Sequence, residues 1–400
     1  MSVPVSVPVR VLAHAKAVLP DRVIDDALVV IEHGLITHVG PVRPGSVPAE
    51  AVDLRGALLL PGIVDTHSDG LETELRPRPG AEFEVGFGVS SFEGRVRAAG
   101  VTTVFHGVAF ESHNRKGRTV DRARSLDAAI RERAASGHAL VDHRVLYRLD
   151  ARDPDGLTAL DSCLSGTPTP PPLVSFEDHT PGQGQYRDSA MYRRWLEGTE
   201  GLSTEEAQRR VETLVAERDT RIGHREIALG RLAELAALGR ARLLAHDPVT
   251  AGEIDVALAN GVSVAEFPTT QEAARAARER GLRVVAGAPN VLRGGSHSGN
   301  VAAADLVAAG LVDGLSSDYL PSAPLAAALL LADRGVLPLP RAVALVTSGP
   351  AAVAGLSDRG ELVAGQRGDL AVVTVDRGWP TVRMTVTAGD QALLAGVGNR

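Results

Sequence analysis

One short stretch of the chain carries residue types and a spacing that could hold a metal ion: Leu60-Pro-Gly-Ile-Val-Asp-Thr-His67-Ser-Asp69-Gly70. An apolar extended run ending in His-x-Asp sets the two side chains two residues apart, on one face of the chain, so both can reach the same cation. Comparable endings recur. His179 follows Leu173-Val-Ser-Phe-Glu-Asp178, His246-Asp247 follows Arg242-Leu-Leu-Ala, and Asp318 follows Gly314-Leu-Ser-Ser. Imidazole and carboxylate suit borderline or hard divalent ions, with Zn²⁺ expected first and Mn²⁺ as the alternative. Such an ion lowers the pKa of a bound water toward neutrality, and the resulting hydroxide is a nucleophile. His67, Asp69, His179 and His246 are the expected ligands. His106, His113 and His143 also stand near apolar runs and are held in reserve.

A second segment could bind an anion. Gly287-Ala-Pro-Asn290-Val-Leu-Arg293-Gly294-Gly295-Ser296-His297-Ser298-Gly-Asn300 follows one apolar run and precedes a helical pattern. Its glycines, its two serines and the coming helix N-terminus offer backbone N–H groups, and Arg293 offers a planar fork to phosphate oxygens. It is no Walker A loop, since the Gly-Lys-Ser/Thr ending is missing. Arg76-Pro-Arg78-Pro, just past His67 and Asp69, adds charge for a polyanion, and Gln183 in Thr180-Pro-Gly-Gln183-Gly-Gln185 can position a substrate.

These residues need a scaffold that brings distant segments to one place. The first sixty residues alternate apolar and polar positions in short runs, which predicts strands. From residue 61 to about 355 the pattern changes to short β-branched runs, each followed by a long Ala/Leu/Arg/Glu segment. The runs are 62–65, 101–105, 143–149, 173–176, 241–245, 263–267, 283–286 and 312–316. Helical spacing covers 118–133, 203–238, 271–280 and 302–309, and Ser203-Thr-Glu-Glu206 reads as a capping box. This alternation predicts a (β/α)₈ barrel of the TIM type, with an open doubly wound sheet as the alternative. In a barrel every chemistry-bearing ending above lies at the carboxyl ends of the strands, where this fold builds its sites. After residue 355 short strand patterns return. The two chain ends, 1–60 and 356–400, are therefore expected to build one small β-domain beside the barrel of 61–355. The proline run 167–172 is expected as an extended connector into the fourth strand.

Composition narrows the function. With 400 residues, 44% hydrophobic and 23% charged, the chain is an ordinary globular one. No apolar run reaches the length of a membrane span, and the beginning lacks a signal-peptide pattern, so a cytoplasmic protein without membrane contact is expected. A formal net charge of −7 argues against nucleic acid as a partner. The single cysteine, Cys163, excludes multi-cysteine metal sites, which leaves His and carboxylate as ligands. Lys16 and Lys116 are the only lysines. A homo-oligomer is left open.

Two stretches are similar to the ends of the amidohydrolase superfamily: Leu58-Leu-Leu-Pro-Gly-Ile-Val-Asp-Thr-His67 and Gly360-Glu-Leu-Val-Ala-Gly-Gln-Arg-Gly-Asp-Leu370. More narrowly, HSDGLE (67–72), DHTPGQGQY (178–186), AEFPTT (265–270), GAPNVLRGGSHSGNVAA (287–303) and LSSDYLP (315–321) resemble the family of α-D-ribose 1-methylphosphonate 5-triphosphate diphosphatases of the carbon–phosphorus lyase pathway. Order and spacing match over nearly the whole chain. The resemblance implies a metal-dependent (β/α)₈ barrel with a composite β-sandwich of both ends. It also implies a hydrolase that splits its phosphorylated small-molecule substrate into the 5-phosphate and pyrophosphate.

In that reading Asp318 orients or deprotonates the attacking water, and Arg293, the Gly294 and Gly295 amides and Arg78 neutralise the leaving group. Many superfamily members instead carry His-x-His and a carbamylated lysine at the fourth strand. Here Asp69 takes the second position and neither lysine lies near strand four, so no carbamate bridge is expected. Either one metal is bound or a carboxylate bridges two. Strand alternation favours Glu177, whereas the family segment carries its acid at Asp178, which is therefore the expected catalytic partner of Asp318. The alternative activity is hydrolysis of a C–N bond, in a cyclic amide or an aminopurine. A non-enzymatic scaffold would show itself as a metal-free purified protein.

Overall fold

Alternating apolar positions at both chain ends produce one sheet. The computed structural model describes residues 9–112, 117–164, 169–296 and 298–388, without the side chain of Gln185. The amino-terminal strands are β1 (Arg10–Val18), β2 (Val23–Glu32), β3 (Leu35–Pro41), β4 (Val52–Asp53) and β5 (Leu58–Pro61). Strands β6 to β13 run Ile63–Ser68, Val101–Phe110, Asp142–Asp150, Leu173–Glu177, Arg242–His246, Val262–Glu266, Arg283–Gly287 and Gly314–Ser316; β14 (Leu370–Asp376) and β15 (Trp379–Val386) follow.

The first sheet has the order β15-β14-β5-β1-β2-β3, with β4 paired to β1. Strands from the two ends meet where Leu370 to Val373 pair antiparallel with Pro61 to Leu58. Alternation gives this sheet two apolar faces. Leu12, Val29, Ile31, Leu59 and Val372 belong to one cluster, and Val11, Ala13 and Leu28 to the other.

The second sheet holds the eight strands in sequence order, β6 through β13. Every residue of β6 and β7 is buried, as befits strands of a parallel sheet covered on both sides. A bridge between Ser68 and Asp318 brings the end of β13 back beside β6. Two backbone bonds reinforce it, from the Asp69 amide to the Asp318 carbonyl (2.6 Å) and from the Asp318 amide to the His67 carbonyl (2.9 Å). Gly62, between β5 and β6, has no room for a side chain: a Cβ there would lie 2.2 Å from Thr102 Oγ1.

Helical spacing over 203–238 yields two helices, Thr204–Asp219 and Ile222–Ala237, with the predicted capping box of Ser203 and Glu206 at the start of the first. The break at residues 220–221 frees the end of the first helix to engage charges on the strand ends, as described below. Among the described residues no helix is long and apolar enough to cross a membrane. The chain divides into two compact units. Unit 1 comprises residues 1–106, 129–144 and 314–400, and unit 2 comprises 107–128 and 145–313.

Candidate metal centre

Among the described residues, each unit contains a group of side chains able to hold a cation. In unit 1, His67, Asp69 and Asp318 each offer a ligand atom, all within 4.8 Å of one another. His67 is fully buried at the end of β6, and its Nε2 lies 3.4 Å from Asp69 Oδ1. Asp69 stands at the N-cap of the helix Gly70–Leu75 but makes no capping hydrogen bond from its side chain. Asp318 has a left-handed backbone, φ +55°. That conformation is uncommon outside glycine and costs of order 1 kcal/mol, so it persists where surrounding structure imposes it. Here the backbone bonds between Asp318 and the His67–Asp69 segment impose it. Hydroxyl pairs tie the same strand ends, Thr66 to Ser316 at 2.8 Å and Ser317 to Ser68 at 3.1 Å. The Ser317 amide donates to Asp65 Oδ1, while burial pushes the Asp65 carboxyl up to about 6.

In unit 2, Glu177, His179 and His246 form the second group, with ligand atoms again within 4.8 Å. His179 Nδ1 is 3.7 Å from Glu177 Oε1, and His246 Nε2 is 3.9 Å from Glu177 Oε2. Glu266, fully buried at the end of β11, accepts from His246 Nδ1 at 2.7 Å and from the Ser175 hydroxyl at 2.6 Å. This bond sets the tautomer and turns Nε2 toward the group, the usual arrangement behind a metal-bound histidine. Arg148 on β8 grips Glu177 Oε2 with Nε and Nη2, at 3.1 and 2.8 Å, both side chains buried. Burial alone would push the Glu177 carboxyl up; the nearby Arg148, His179 and His246 outweigh it and hold it at about 2. Burial pushes the His179 imidazole down, whereas for His246 the effect of burial is overcome by Asp247 and Glu266, which push it up.

The donors fit a divalent ion. His179 Nε2 is buried, has no hydrogen-bond partner and faces Asp247 Oδ2 only at 3.8 Å. An imidazole nitrogen left this way in a cluster of carboxylates is what a cation would satisfy. Asp247, like Asp318, follows a barrel strand with left-handed backbone, φ +53°, and Gly184 packs against it; a Cβ on Gly184 would come within 3.2 Å of Asp247 Cβ.

Asp178 lies elsewhere than expected. Its carboxylate accepts from Arg152 Nε (2.7 Å), Arg218 Nη2 (3.2 Å) and both the amide and hydroxyl of Thr180 (3.2 and 2.6 Å). The physical reason is strand alternation: Glu177 and His179 share one face and Asp178 takes the other. Glu177, weighed against Asp178 in the sequence, is the acid among the histidines.

The 287–300 segment also departs from the expected cradle. The helix Ala288–Arg293 ends here in a left-handed Gly294 (φ +75°), and the amides of Gly294 and Gly295 donate to the Val291 and Asn290 carbonyls. These amides close a helix C-terminus and are spent on it. The Asn290 side chain bonds the Val301 carbonyl (3.2 Å) and the Ala303 amide (2.9 Å), so it pins the following helix instead of facing a ligand. Arg293 is exposed, Ser298 is buried with its amide on Ser296 Oγ at 3.0 Å, and His297 lies outside the described residues. Thr269 links this segment to its neighbours, its amide bonding the Pro248 carbonyl and its carbonyl the Val301 amide. Arg78 and Gln183 are exposed, and Arg76 is paired with Glu82 at 2.8 Å.

Of the reserve histidines, His106 and His143 form a buried chain to Glu93: His106 Nε2 to His143 Nδ1 at 2.8 Å, then His143 Nε2 to Glu93 Oε1 at 2.9 Å. His113 lies outside the described residues. The sequence pattern does not single out the buried acids Glu266 and Asp65 or the buried Arg148. Only Glu266 carried a signal, as the single acid in the AEFPTT segment.

Comparison with known proteins agrees with this architecture. Over 364 residues, 88% of this chain and 94% of the relative, the chain is 35% identical to α-D-ribose 1-methylphosphonate 5-triphosphate diphosphatase of Escherichia coli (strain K12). The solved 5-methylcytosine deaminase of Klebsiella pneumoniae superimposes with a TM-score of 0.61 at 14% identity, covering 95% of this chain and 97% of that one. N-acetyl-D-glucosamine-6-phosphate deacetylase from Mycobacterium smegmatis does so with 0.58 at 18% identity, covering 95% and 99%. At such identities the two structures share the fold alone. The amidohydrolase family profile matches residues 241–392, and with the full-length relative it shows that this chain belongs to the amidohydrolase family.

Proposed function

We propose that the protein is a metal-dependent diphosphatase that cleaves α-D-ribose 1-methylphosphonate 5-triphosphate to the 5-phosphate and pyrophosphate in phosphonate breakdown. The carrying observation is the 35% identity to the Escherichia coli diphosphatase of that name across 88% of the chain. Both ligand groups stand at the carboxyl ends of barrel strands, the end where this fold places its chemistry. Zn²⁺ suits the histidine-rich group of unit 2, with Mn²⁺ the alternative. When bound, a divalent ion polarises phosphoryl oxygens and makes a water acidic near neutral pH.

The chain's own residues divide the remaining work. Glu177, His179 and His246 hold metal in unit 2, and Glu266, by taking Nδ1 of His246, turns its Nε2 toward the group. His67 and Asp69 are the unit 1 ligands, and an Asp318 carboxylate oxygen receives the proton of the attacking water. Arg293 and Arg78, both exposed, meet the charge of the departing pyrophosphate, with Gln183, Ser296 and Ser298 as polar contacts. A free phosphorylated metabolite as substrate supports a cytoplasmic setting for the reaction.

The test is phosphorus NMR of the purified protein, with metal content measured on the same sample. The ribose methylphosphonate triphosphate and ATP are supplied in parallel. Pyrophosphate from the former, faster than from ATP, supports the assignment. A metal-loaded protein that leaves both triphosphates unchanged overturns it and points to C–N hydrolysis.

A further inference from the structure

The helical pair Thr204–Asp219 and Ile222–Ala237 lies between β9 and β10, and its tip carries charge back to the strand ends. Arg218, in the last turn of the first helix, is buried although that helix is otherwise rich in exposed charge. Its guanidinium grips both oxygens of Asp150 at the end of β8, bonds Thr180 Oγ1 at 2.9 Å and reaches Asp178 Oδ1 at 3.2 Å. Arg152, also buried, holds the other oxygen of Asp178 at 2.7 Å and the neighbouring tip residue Asp219 at 2.9 Å. Burying two guanidinium groups costs several kcal/mol each unless every charge is paired in good geometry, and here the buried pairs balance. Asp178, with four donors on its two oxygens, has no capacity left for a proton or a metal.

Asp178 is the middle of three residues whose outer two, Glu177 and His179, belong to the unit 2 ligand group. In extended backbone these outer side chains project from the face opposite Asp178. Holding Asp178 from behind therefore fixes the direction and separation of both ligands. We propose that Arg218 and Arg152, through Asp178, are positioning residues for the metal centre, and that the 204–237 helical pair is the brace that delivers Arg218. No part of this requires any of the three to touch substrate. The inference rests on the metal-centre reading above.

The experiment measures zinc transfer from the zinc-loaded full-length protein to a chromophoric chelator, alongside kcat, KM and thermal melting, for Arg218→Met, Arg218→Lys and Asp178→Asn. Arg218→Met and Asp178→Asn are expected to speed zinc loss about 10- to 100-fold, the range seen when groups behind metal ligands are removed. They should also lower kcat with KM for the triphosphate changed less than threefold. Arg218→Lys is expected to recover part of the zinc retention, because an ammonium supplies the charge but not the fork to Asp150 and Asp178 together. Variants that melt lower yet release zinc at the wild-type rate would reduce the cluster to a fold contact and overturn the inference. Should Arg218→Met fail to fold, Asp178→Asn and Arg218→Lys carry the same comparison. Zinc loss is read without substrate, so a wild type that holds zinc but spares the triphosphate sinks the proposed activity and not the brace. A wild type that binds no divalent metal sinks both.

Discussion

The two ligand groups are held by different forces. In unit 1 the His67-x-Asp69 segment is fixed by backbone: amide-to-carbonyl bonds with Asp318 and neutral hydroxyl pairs between β6 and β13. In unit 2, Glu177, His179 and His246 are fixed by buried charge: Arg148 on Glu177, Glu266 on His246, and the arginine pair on Asp178. Neutral hydrogen bonds contribute about 1 kcal/mol each and fail one at a time, whereas a buried ion pair that loses one partner leaves an uncompensated charge costing about 3–5 kcal/mol. The first group should thus tolerate changes to its supports, and the second should not.

Substituting a ligand tests whether the two groups serve one reaction at all. His67→Ala and His246→Ala should each abolish turnover and lower metal content, checked by elemental analysis with the phosphorus assay; full activity in either variant removes its group from the chemistry. Changing the supports is the next largest test. Glu266→Gln is expected to weaken metal affinity about 10- to 100-fold, while Ser316→Ala, which removes the neutral hydroxyl pair with Thr66 in unit 1, should cost about 1 kcal/mol, no more than about fivefold. Equal losses in a chelator competition would erase the contrast between the two groups.

Arg293→Ala sharpens the contrast from the substrate side. It should raise KM for the triphosphate about tenfold, the effect of losing one charged hydrogen bond of about 1.4 kcal/mol, with metal content unchanged. An unaltered KM would take Arg293 out of the substrate contacts. The smallest effect on activity is expected at the Glu93–His143–His106 chain, which contributes no side chain to either ligand group. Hydrogen bonds from His143, Arg133 and the Leu140 amide overcome burial and hold the Glu93 carboxyl at about 2, below the ordinary 4.5. A depressed carboxyl stabilises the fold fully above its ordinary value and loses that contribution as pH falls toward 2. Melting temperature should therefore drop between about pH 4.5 and 2, and Glu93→Gln should lower it at neutral pH while flattening that acid limb. An acid limb as steep in the variant as in the wild type would assign it to other carboxylates.

What the sequence determined alone was whatever local covalent geometry controls. Short β-branched runs marked β6 and β9 to β12, and the two-residue spacing placed His67 and Asp69 on one face, because side chains alternate along an extended chain wherever it folds. The same rule favoured Glu177 over Asp178. The shared sheet of the two chain ends followed from their like patterns, and the capping box of Ser203 and Glu206 from a three-residue spacing. Tertiary structure decided which partner each polar group takes. Arg152 and Arg218, 26 and 40 residues from Asp178, claimed its carboxylate, and no spacing rule connects them. The Gly294 and Gly295 amides, readable as an anion cradle, went to a helix C-terminus because the helix Ala288–Arg293 stops there. Arg148 and Glu266 became supports of the centre once burial set the first against Glu177 and the second against His246 and Ser175. Backbone periodicity is a property of neighbours along the chain; the pairing of buried charges depends on distance and desolvation, which exist only after the strands have closed.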